Sequence, residues 1–267
     1  MLTDLTILIR GGGELASGVA NRLVCSHFNV CLTEIPHPQA VRREVAFSEA
    51  VYEGEKEVEG VVAKYISSPD EIYQAWQEGK VPLLVDPEAT VRDILKPDVL
   101  VNAIIAKKNL GTKISDASLV IGLGPGFQAG KDVHIVIETN RGHNLGKVIR
   151  QGEAEANTGV PGVIAGVSAE RVLRAPISGR FSTNKKIGDY VQSGEVIAFV
   201  AGSPVEILVE GVIRGLLRDG AEVRKGMKLG DVDPRGNKDH CYTISDKARA
   251  IAGGVLEAIL SHFKTSI

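Results

Sequence analysis

The sequence predicts an α/β protein in which a mostly parallel sheet is followed by a β-rich domain and a C-terminal helix. Three observations predict this class. Short apolar runs alternate with helical patterns over the first hundred residues, a 32-residue repeat lies beyond residue 175, and an apolar pattern with helical spacing runs from Ala248 to Phe263. Alternation of strand and helix favours a parallel sheet covered on both faces.

Composition and charge exclude several classes of protein. Aromatic residues make up only 4% of the 267 residues, and 31 basic residues against 33 acidic ones give a net charge of −2, so a base-stacking or phosphate-tracking nucleic-acid binder is not expected. No apolar run is long enough for a membrane span. The three cysteines fit no metal or redox spacing, and the six histidines show no ligand spacing, so we expect a cytoplasmic protein without a metal site.

The first motif is a strand, a glycine turn and a helix. An apolar run over 5–9 is followed by Gly11, Gly12, Gly13 and Glu14 and then by apolar residues at helical spacing, which matches G-x-G-x-x-[GA] with Ala16 in the last place. A second strand, 29–33, ends at Glu34, where a carboxylate can accept hydrogen bonds from a ribose. These residues predict a dinucleotide site, and the alternative is that the glycines serve packing alone.

The alternation continues through strands at 60–66, 81–85 and 99–105 and helices at 69–77 and 89–95. We therefore predict a Rossmann-like nucleotide-binding domain over 1–108. Ligands of such sheets bind at the carboxyl ends of the strands, where Gly11–Gly13 and Glu34 fall.

A β-rich connection is predicted over 109–162. The glycine-rich stretch 117–130 is interpreted as a loop, and it is not a phosphate-binding P-loop, because Pro125 stands where that motif needs its first glycine. The strand 133–137 leads to Glu138, Arg141 and His143, which are candidate catalytic residues for binding an anion and moving a proton. A polar hairpin loop explains the same residues equally well.

The repeat predicts a duplicated domain over 163–236. Ile177-Ser178-Gly179 and the turn from Gly188 to Gly194 recur 32 residues later as Val209-Glu210-Gly211 and the turn from Gly220 to Gly226. This pattern resembles the biotinyl/lipoyl-like barrel-sandwich hybrid. The hairpin over 201–205 has no lysine to carry a prosthetic group, so a docking or structural module is expected. The segment 237–267 should form a helix that packs back.

Several motifs along the chain together resemble the YqeB family. They are the glycine-rich start and the segments 47–50, 124–127, 138–143, 157–159, 230–236 and 245–247. The resemblance implies an accessory or maturation protein of a selenium-dependent molybdenum hydroxylase system, with the hydroxylase as client.

On this hypothesis the chain binds NAD(P) or the dinucleotide form of molybdopterin and handles or inserts cofactor. The alternatives are an NAD(P)-dependent oxidoreductase acting on an anionic small molecule and a scaffold with no ligand. The sequence leaves open whether the chain forms a homo-oligomer.

Overall fold

The computed structural model describes residues 4–264, which form two compact units. The first unit contains the described residues up to Pro38, then Ala46–Asn157, and then the residues from Ile244 onward. The second contains Gln39–Val45 and Thr158–Thr243. Each unit therefore draws on segments that are far apart in sequence.

The first unit is built on a nine-stranded sheet in the order β10-β9-β7-β6-β1-β2-β5-β4-β3. Its strands are β1 Thr6–Arg10, β2 Asn29–Glu34, β3 Glu55–Val58, β4 Val61–Tyr65, β5 Val81–Val85, β6 Val99–Asn102, β7 Leu119–Leu123, β9 Ile135–Ile137 and β10 Val148–Ile149. The seven interior strands are parallel, and the two edge strands, β3 and β10, are antiparallel to their neighbours. A separate two-stranded ribbon pairs β8 Gln128–Ala129 with β11 Gly152–Glu153.

The middle of the sheet is apolar because both of its faces are covered. Ile7, Leu8 and Ile9 of β1 are fully buried, and β6 and β7 are buried along their whole length. Parallel strands buried on both faces have this continuous apolar composition. The carboxyl ends of β1, β6, β7 and β9 lie along one edge of the sheet, which places the loops that follow them side by side.

The helices of the first unit are unequal in length. They are α1 Glu14–Cys25, α2 Ala50–Glu53, α3 Ile72–Gln77, α4 Arg92–Leu95 and α6 Asp246–His262. Helix α5, Asp239–Tyr242, belongs to the second unit. No α-helix connects β6 to β7 or β7 to β9. Helix α6 packs instead against β7, β9, β10 and α1. It approaches α1 closely because Gly18 has no side chain: a Cβ there would lie 2.8 Å from the Cβ of Ala248.

The second unit consists of two four-stranded antiparallel sheets, ordered β12-β19-β17-β14 and β16-β15-β13-β18. The strands are β12 Val172–Arg174, β13 Gly179–Ser182, β14 Tyr190–Val191, β15 Val196–Val200, β16 Ser203–Glu206, β17 Gly211–Leu216, β18 Glu222–Val223 and β19 Lys228–Asp233. The two copies of the repeat exchange their short strands: β14 of the first copy pairs with β17, and β18 of the second pairs with β13. Each copy therefore completes a sheet of the other.

The predicted fold class, a Rossmann-like sheet followed by a barrel-sandwich-hybrid-like domain, is wrong. The large sheet is mixed, its second half lacks crossover helices, and the stretch expected to be a β-rich connection supplies β7, β9 and β10 to it. The face that crossover helices would cover is closed by α6. Residues 172–233 form two separate antiparallel sheets.

Candidate functional site

The loop after β1 is a glycine turn that two close contacts hold in place. Gly11 has φ +103°, its N–H donates to Thr33 O at 2.7 Å, and a Cβ on it would come 3.1 Å from Ala103 O. A side chain here would be both strained and crowded, so the turn requires glycine at this position.

Gly12 is held from two sides. Its N–H donates to Glu34 Oε2 at 2.8 Å, and its carbonyl accepts the N–H of Ser48 at 2.8 Å. A Cβ on Gly12 would lie 2.9 Å from Ser48 N, so the loop residue packs directly on the turn. Ser17 adds a brace from α1, because its hydroxyl accepts the N–H of Phe47 at 2.8 Å.

Gly13 differs from both of its neighbours because it is open. It is the N-cap of α1, with φ −69° and no side-chain cap, and a Cβ on it would meet no atom of the described residues within 4 Å. The first N–H groups of a helix have no intrahelical partners, and they carry the positive end of the helix dipole. The twelve-residue helix α1 therefore begins at Gly13 and Glu14 without a side-chain cap, and such a helix start favours a negatively charged group.

Glu34 lies at the end of β2 and binds the turn itself. Its two carboxylate oxygens accept the N–H groups of Ile35 and Gly12, each at 2.8 Å. Burial raises the pKa of Glu34, and the two hydrogen bonds lower it only in part. Its predicted role in holding a ribose stays a prediction. A carboxylate has about four lone-pair positions, so two N–H donors do not exhaust it.

Glu138, the first candidate catalytic residue, follows β9 and is 1% exposed. Its Oε1 accepts the N–H groups of Thr139 and Asn140, and its Oε2 accepts that of Glu155, all at 2.7 Å. These three charge-assisted hydrogen bonds compensate the burial of the carboxylate, and they hold the backbone of the loop in place. A catalytic role for it stays a prediction.

Arg141 and His143 lie on the same loop in different surroundings. The guanidinium of Arg141 forms a two-pronged ion pair with Asp246 in the first turn of α6, at 2.7 and 3.0 Å. His143 is exposed. The loop is therefore tied to α6 by Arg141, and His143 is the member of the predicted trio that solvent reaches freely.

Lys247, in the first turn of α6, is a half-buried cation that the motif reasoning did not single out. Burial lowers its pKa, and Arg141 lowers it further, while Glu14, Glu138 and Asp246 act in the opposite direction. Its ammonium therefore lies within electrostatic range of both the glycine turn and the loop after β9. A signal was present in the sequence, because a lysine in the first turn of a helix opposes the helix dipole.

A second missed group is the buried arginine that precedes the turn. Arg10 is 4% exposed; it donates to Thr112 Oγ1 at 2.9 Å and to Pro87 O at 2.9 Å, and Asn102 donates to the same threonine at 2.8 Å. The loops after β5 and β6 are thereby fixed at the carboxyl edge. Burial lowers the pKa of Arg10.

Two further classes of site were searched for in residues 4–264. No three histidine, cysteine, aspartate or glutamate side chains in this range are grouped to hold a metal ion. No helix in the same range has the length and apolar character to cross a membrane.

Comparison with known proteins gives one clear relative. The chain is 50% identical over 254 residues to the uncharacterized protein YqeB of Escherichia coli (strain K12). The aligned part is 95% of this chain but 47% of the relative, so the chain spans about half the length of the protein that it matches. No family model matches.

Solved structures show only distant similarity. They include an aspartoacylase family protein from Mesorhizobium loti at 11% identity and TM-score 0.27, and a succinylglutamate desuccinylase/aspartoacylase from Rhodobacter sphaeroides at 15% identity and TM-score 0.25. Each alignment covers 86% of this chain and 85% of the other. At these TM-scores the similarity assigns neither fold nor activity to this chain.

Proposed function

We propose that this chain is an accessory protein that binds the phosphate groups of a dinucleotide at the turn Gly11–Gly13. One observation carries the proposal: Gly13 is open and uncapped at the start of α1, while the neighbouring Gly12 N–H already binds a carboxylate. Because the N–H groups of Gly11 and Gly12 are used within the protein, the donors that support the proposal are those at the start of α1, beside the space that Gly13 leaves open.

The ligand that we propose is NAD(P) or the dinucleotide form of molybdopterin. Both contain a pyrophosphate, which suits a helix N-terminus, and a ribose, which Glu34 could hold with its remaining lone pairs. The glycine turn alone does not distinguish between them.

The biological role follows from the family resemblance. Proteins with these motifs are associated with selenium-dependent molybdenum hydroxylase systems, so we propose that the chain handles or inserts cofactor for a molybdenum hydroxylase client. The test is to produce such a hydroxylase with and without this protein and to measure its bound molybdenum and pterin dinucleotide. Equal contents in both preparations would contradict the role.

Calorimetric titration tests the binding step directly. The full chain is titrated with NAD⁺, NADH, NADP⁺, NADPH and cytidine nucleotides, in parallel with the variant Gly13→Asp. We expect binding of one group to the wild type and its loss in the variant, because the new carboxylate occupies the helix N-terminus without a steric clash. A folded wild type that binds none of these compounds would refute the proposal.

A second candidate function is an NAD(P)-dependent oxidoreductase that acts on an anionic small molecule. It is favoured by the electrostatics of Lys247, because both Glu14 beside the turn and Glu138 after β9 act to raise the pKa of this lysine. On this hypothesis His143→Ala abolishes turnover and leaves nucleotide affinity unchanged. Failure of the wild type to oxidise NAD(P)H with small carboxylic or keto acids would count against it.

A further inference from the structure

Arg10 is a buried cation without a carboxylate partner. It ends β1, is 4% exposed, and forms no ion pair among residues 4–264. Its guanidinium donates only to neutral oxygens: Thr112 Oγ1 at 2.9 Å, Pro87 O at 2.9 Å and Leu110 O at 3.4 Å. An unpaired buried charge is costly, so most buried charges have a partner of opposite sign.

The donors that Arg10 does not use lie on one edge of its guanidinium. A guanidinium has five N–H groups, and the bonds to neutral oxygens use both of those on Nη1 and one of those on Nη2. Nε is buried and has no partner. In this same protein, Arg235 binds both carboxylate oxygens of Asp233 through Nε at 2.9 Å and Nη2 at 2.6 Å. The unused edge of Arg10 therefore consists of the two atoms that grip a carboxylate through parallel hydrogen bonds.

Arg10 lies at the point where the strand order of the large sheet reverses. The chain first builds the strands on one side of β1, namely β2, β5, β4 and β3, and then builds those on the other side, from β6 to β10. Arg10 at the end of β1 is paired in register with Asn102 at the end of β6, and both side chains donate to Thr112 Oγ1, at 2.9 and 2.8 Å. Open sheets of parallel strands bind ligands outside the carboxyl ends of the strands at such a point.

This position is separate from the glycine turn, although Arg10 precedes Gly11 directly. The hydrogen bonds of Arg10 go to the loops after β5 and β6. The N–H groups of Gly11 and Gly12 bind Thr33 and Glu34 of β2 instead. An inference about Arg10 is therefore independent of the phosphate site proposed at the turn.

The segment that supplies the Leu110 carbonyl to Arg10 is under backbone strain. Between β6 and Thr112, Ile105 has φ +58° and Lys107 has φ +62°. The left-handed region is unfavourable for residues other than glycine, and above all for a β-branched one. Strain of this kind is concentrated at ligand clamps and switch regions. Its release favours a movement of the segment 103–111 away from Arg10, and an anion needs that movement to reach the buried edge.

We propose that Arg10 binds the carboxylate of a small molecule at the ends of β1 and β6 when the segment 103–111 moves aside. Charge favours a carboxylate over a phosphate. Asp86 and Glu88 flank Pro87, whose carbonyl lies 2.9 Å from the guanidinium, so a phosphate dianion would bring a second negative charge close to two acidic side chains. A carboxylate carries the single charge that one guanidinium balances.

Calorimetric titration of the full chain tests the proposal with acetate, lactate and benzoate as probes, and with inorganic phosphate at the same ionic strength. We expect saturable binding of at least one carboxylate, and a loss of affinity of about tenfold or more in Arg10→Met. Arg10→Lys should retain part of the affinity, because it keeps the charge and loses the two-pronged geometry. Arg224→Met is the matched control: this exposed arginine of the second unit carries the same charge and should bind as the wild type does.

Two results of the titration would overturn the proposal. One is a folded wild type that binds none of the three carboxylates. The other is a preference for phosphate that Arg10→Met removes, which would assign the edge to phosphate groups. Phosphate bound at the glycine turn is recognised by its persistence in Arg10→Met.

Thr112→Val separates ligand binding from a purely bracing role of Arg10. It removes the hydroxyl that accepts hydrogen bonds from Arg10 and Asn102, but it leaves the guanidinium in place. We expect the stability to fall and the carboxylate affinity to be kept or raised, since the arginine has lost an internal acceptor. If Thr112→Val and Arg10→Met lose stability and affinity to the same extent, Arg10 is a brace and the proposal is refuted.

A measurement on the wild type guards against variants that fail to fold. Arginines are modified with phenylglyoxal in the presence and absence of the carboxylate that binds, and the modified sites are read by mass spectrometry. We expect slow modification of Arg10 in the free protein, protection of Arg10 by the carboxylate, and equal modification of Arg224 in both samples. If Arg10 stays unmodified in the free protein while Arg224 reacts fully, the buried edge does not open and the proposal is overturned.

Discussion

Two glycine-rich segments lie at the carboxyl ends of β1 and β7, strands of the same sheet that are separated by β6, and they use glycine for opposite purposes. At the end of β7 and in the loop after it, other parts of the protein fill the space where the side chains would be. A Cβ on Gly122 would meet the ring of Phe127, one on Gly124 would meet the Thr139 hydroxyl, and one on Gly126 would meet the backbone of Lys108. In the turn after β1, Gly13 opens into space that nothing fills. A glycine-rich sequence therefore indicates a ligand site only where the space it leaves is empty.

The largest effect that this comparison predicts is from Gly126→Ala. The residue has φ +105°, and its new Cβ would lie 2.6 Å from backbone atoms of Lys108, so we expect the free energy of unfolding to fall by about 3 kcal/mol. Urea denaturation measures it. Gly130→Ala is the control, because Gly130 has φ +83° in open space and should lose only the conformational part, about 1 kcal/mol. Equal losses would show that the packing after β7 is not tight.

A smaller loss is expected for Gly12→Ala, which tests the closed side of the turn. The Cβ would lie 2.9 Å from Ser48 N, and displacement of that segment should cost about 1–2 kcal/mol in the free energy of unfolding. The N–H bond to Glu34 would be strained at the same time. An unchanged melting temperature would mean that the segment 46–49 can shift away from the turn without loss of stability.

Glu34→Gln tests the internal carboxylate on the turn and should change stability by less than about 1 kcal/mol at neutral pH. Burial raises the folded-state pKa of Glu34, so this group lowers stability as the pH rises from 4.5, the unfolded value, through the raised folded value. Glutamine has no such titration, so the variant should lack that decrease in denaturation measured from pH 4 to 8. It should also bind pyrophosphate more tightly, because a negative charge has left the turn. Unchanged or weaker pyrophosphate binding would show that the charge of Glu34 does not oppose phosphate groups at the turn.

The smallest stability effect is expected for Gly13→Asp, and it has the opposite sign. Aspartate is a favourable N-cap residue and Gly13 already has the extended backbone of one, so stability should rise by a few tenths of a kcal/mol, about 0.3. Affinity for phosphate compounds should fall in the same variant. If stability rises and the affinity for phosphate compounds is unchanged, the start of α1 does not bind the ligand.

Local patterns in the sequence predicted individual strands and helices better than they predicted the architecture. The strand, glycine turn and helix at the start of the chain are β1, the turn and α1, and the predicted strands 29–33 and 81–85 are β2 and β5. These elements depend on residues within a few positions of one another. The apolar runs and the glycines carry enough information to place them.

The rest depends on contacts between distant residues. Strand β7 lies within the glycine-rich stretch 117–130, which the sequence analysis interpreted as a loop, and the packing of the Phe127 ring on Gly122 accounts for the glycine inside the strand. The pairing of Arg141 with Asp246 and the approach of Ala248 to Gly18 join segments more than 100 residues apart. Spacing along the chain cannot reveal which helix closes a face of the sheet, and so the predicted fold class was wrong.

Closure of the first unit by α6 also sets the order in which the chain can be completed during synthesis. The nine-stranded sheet has all of its strands once Ile149 has been made, but the helix that covers β7, β9 and β10 begins only at Asp246. At about 5–20 residues per second, a ribosome needs on the order of ten seconds to cross that interval. During this time the second unit can fold, because its last segment ends at Thr243. One face of the sheet in the first unit is still uncovered at that stage. The nascent chain therefore passes through a stage in which apolar surface of the sheet is exposed and accessible to chaperones.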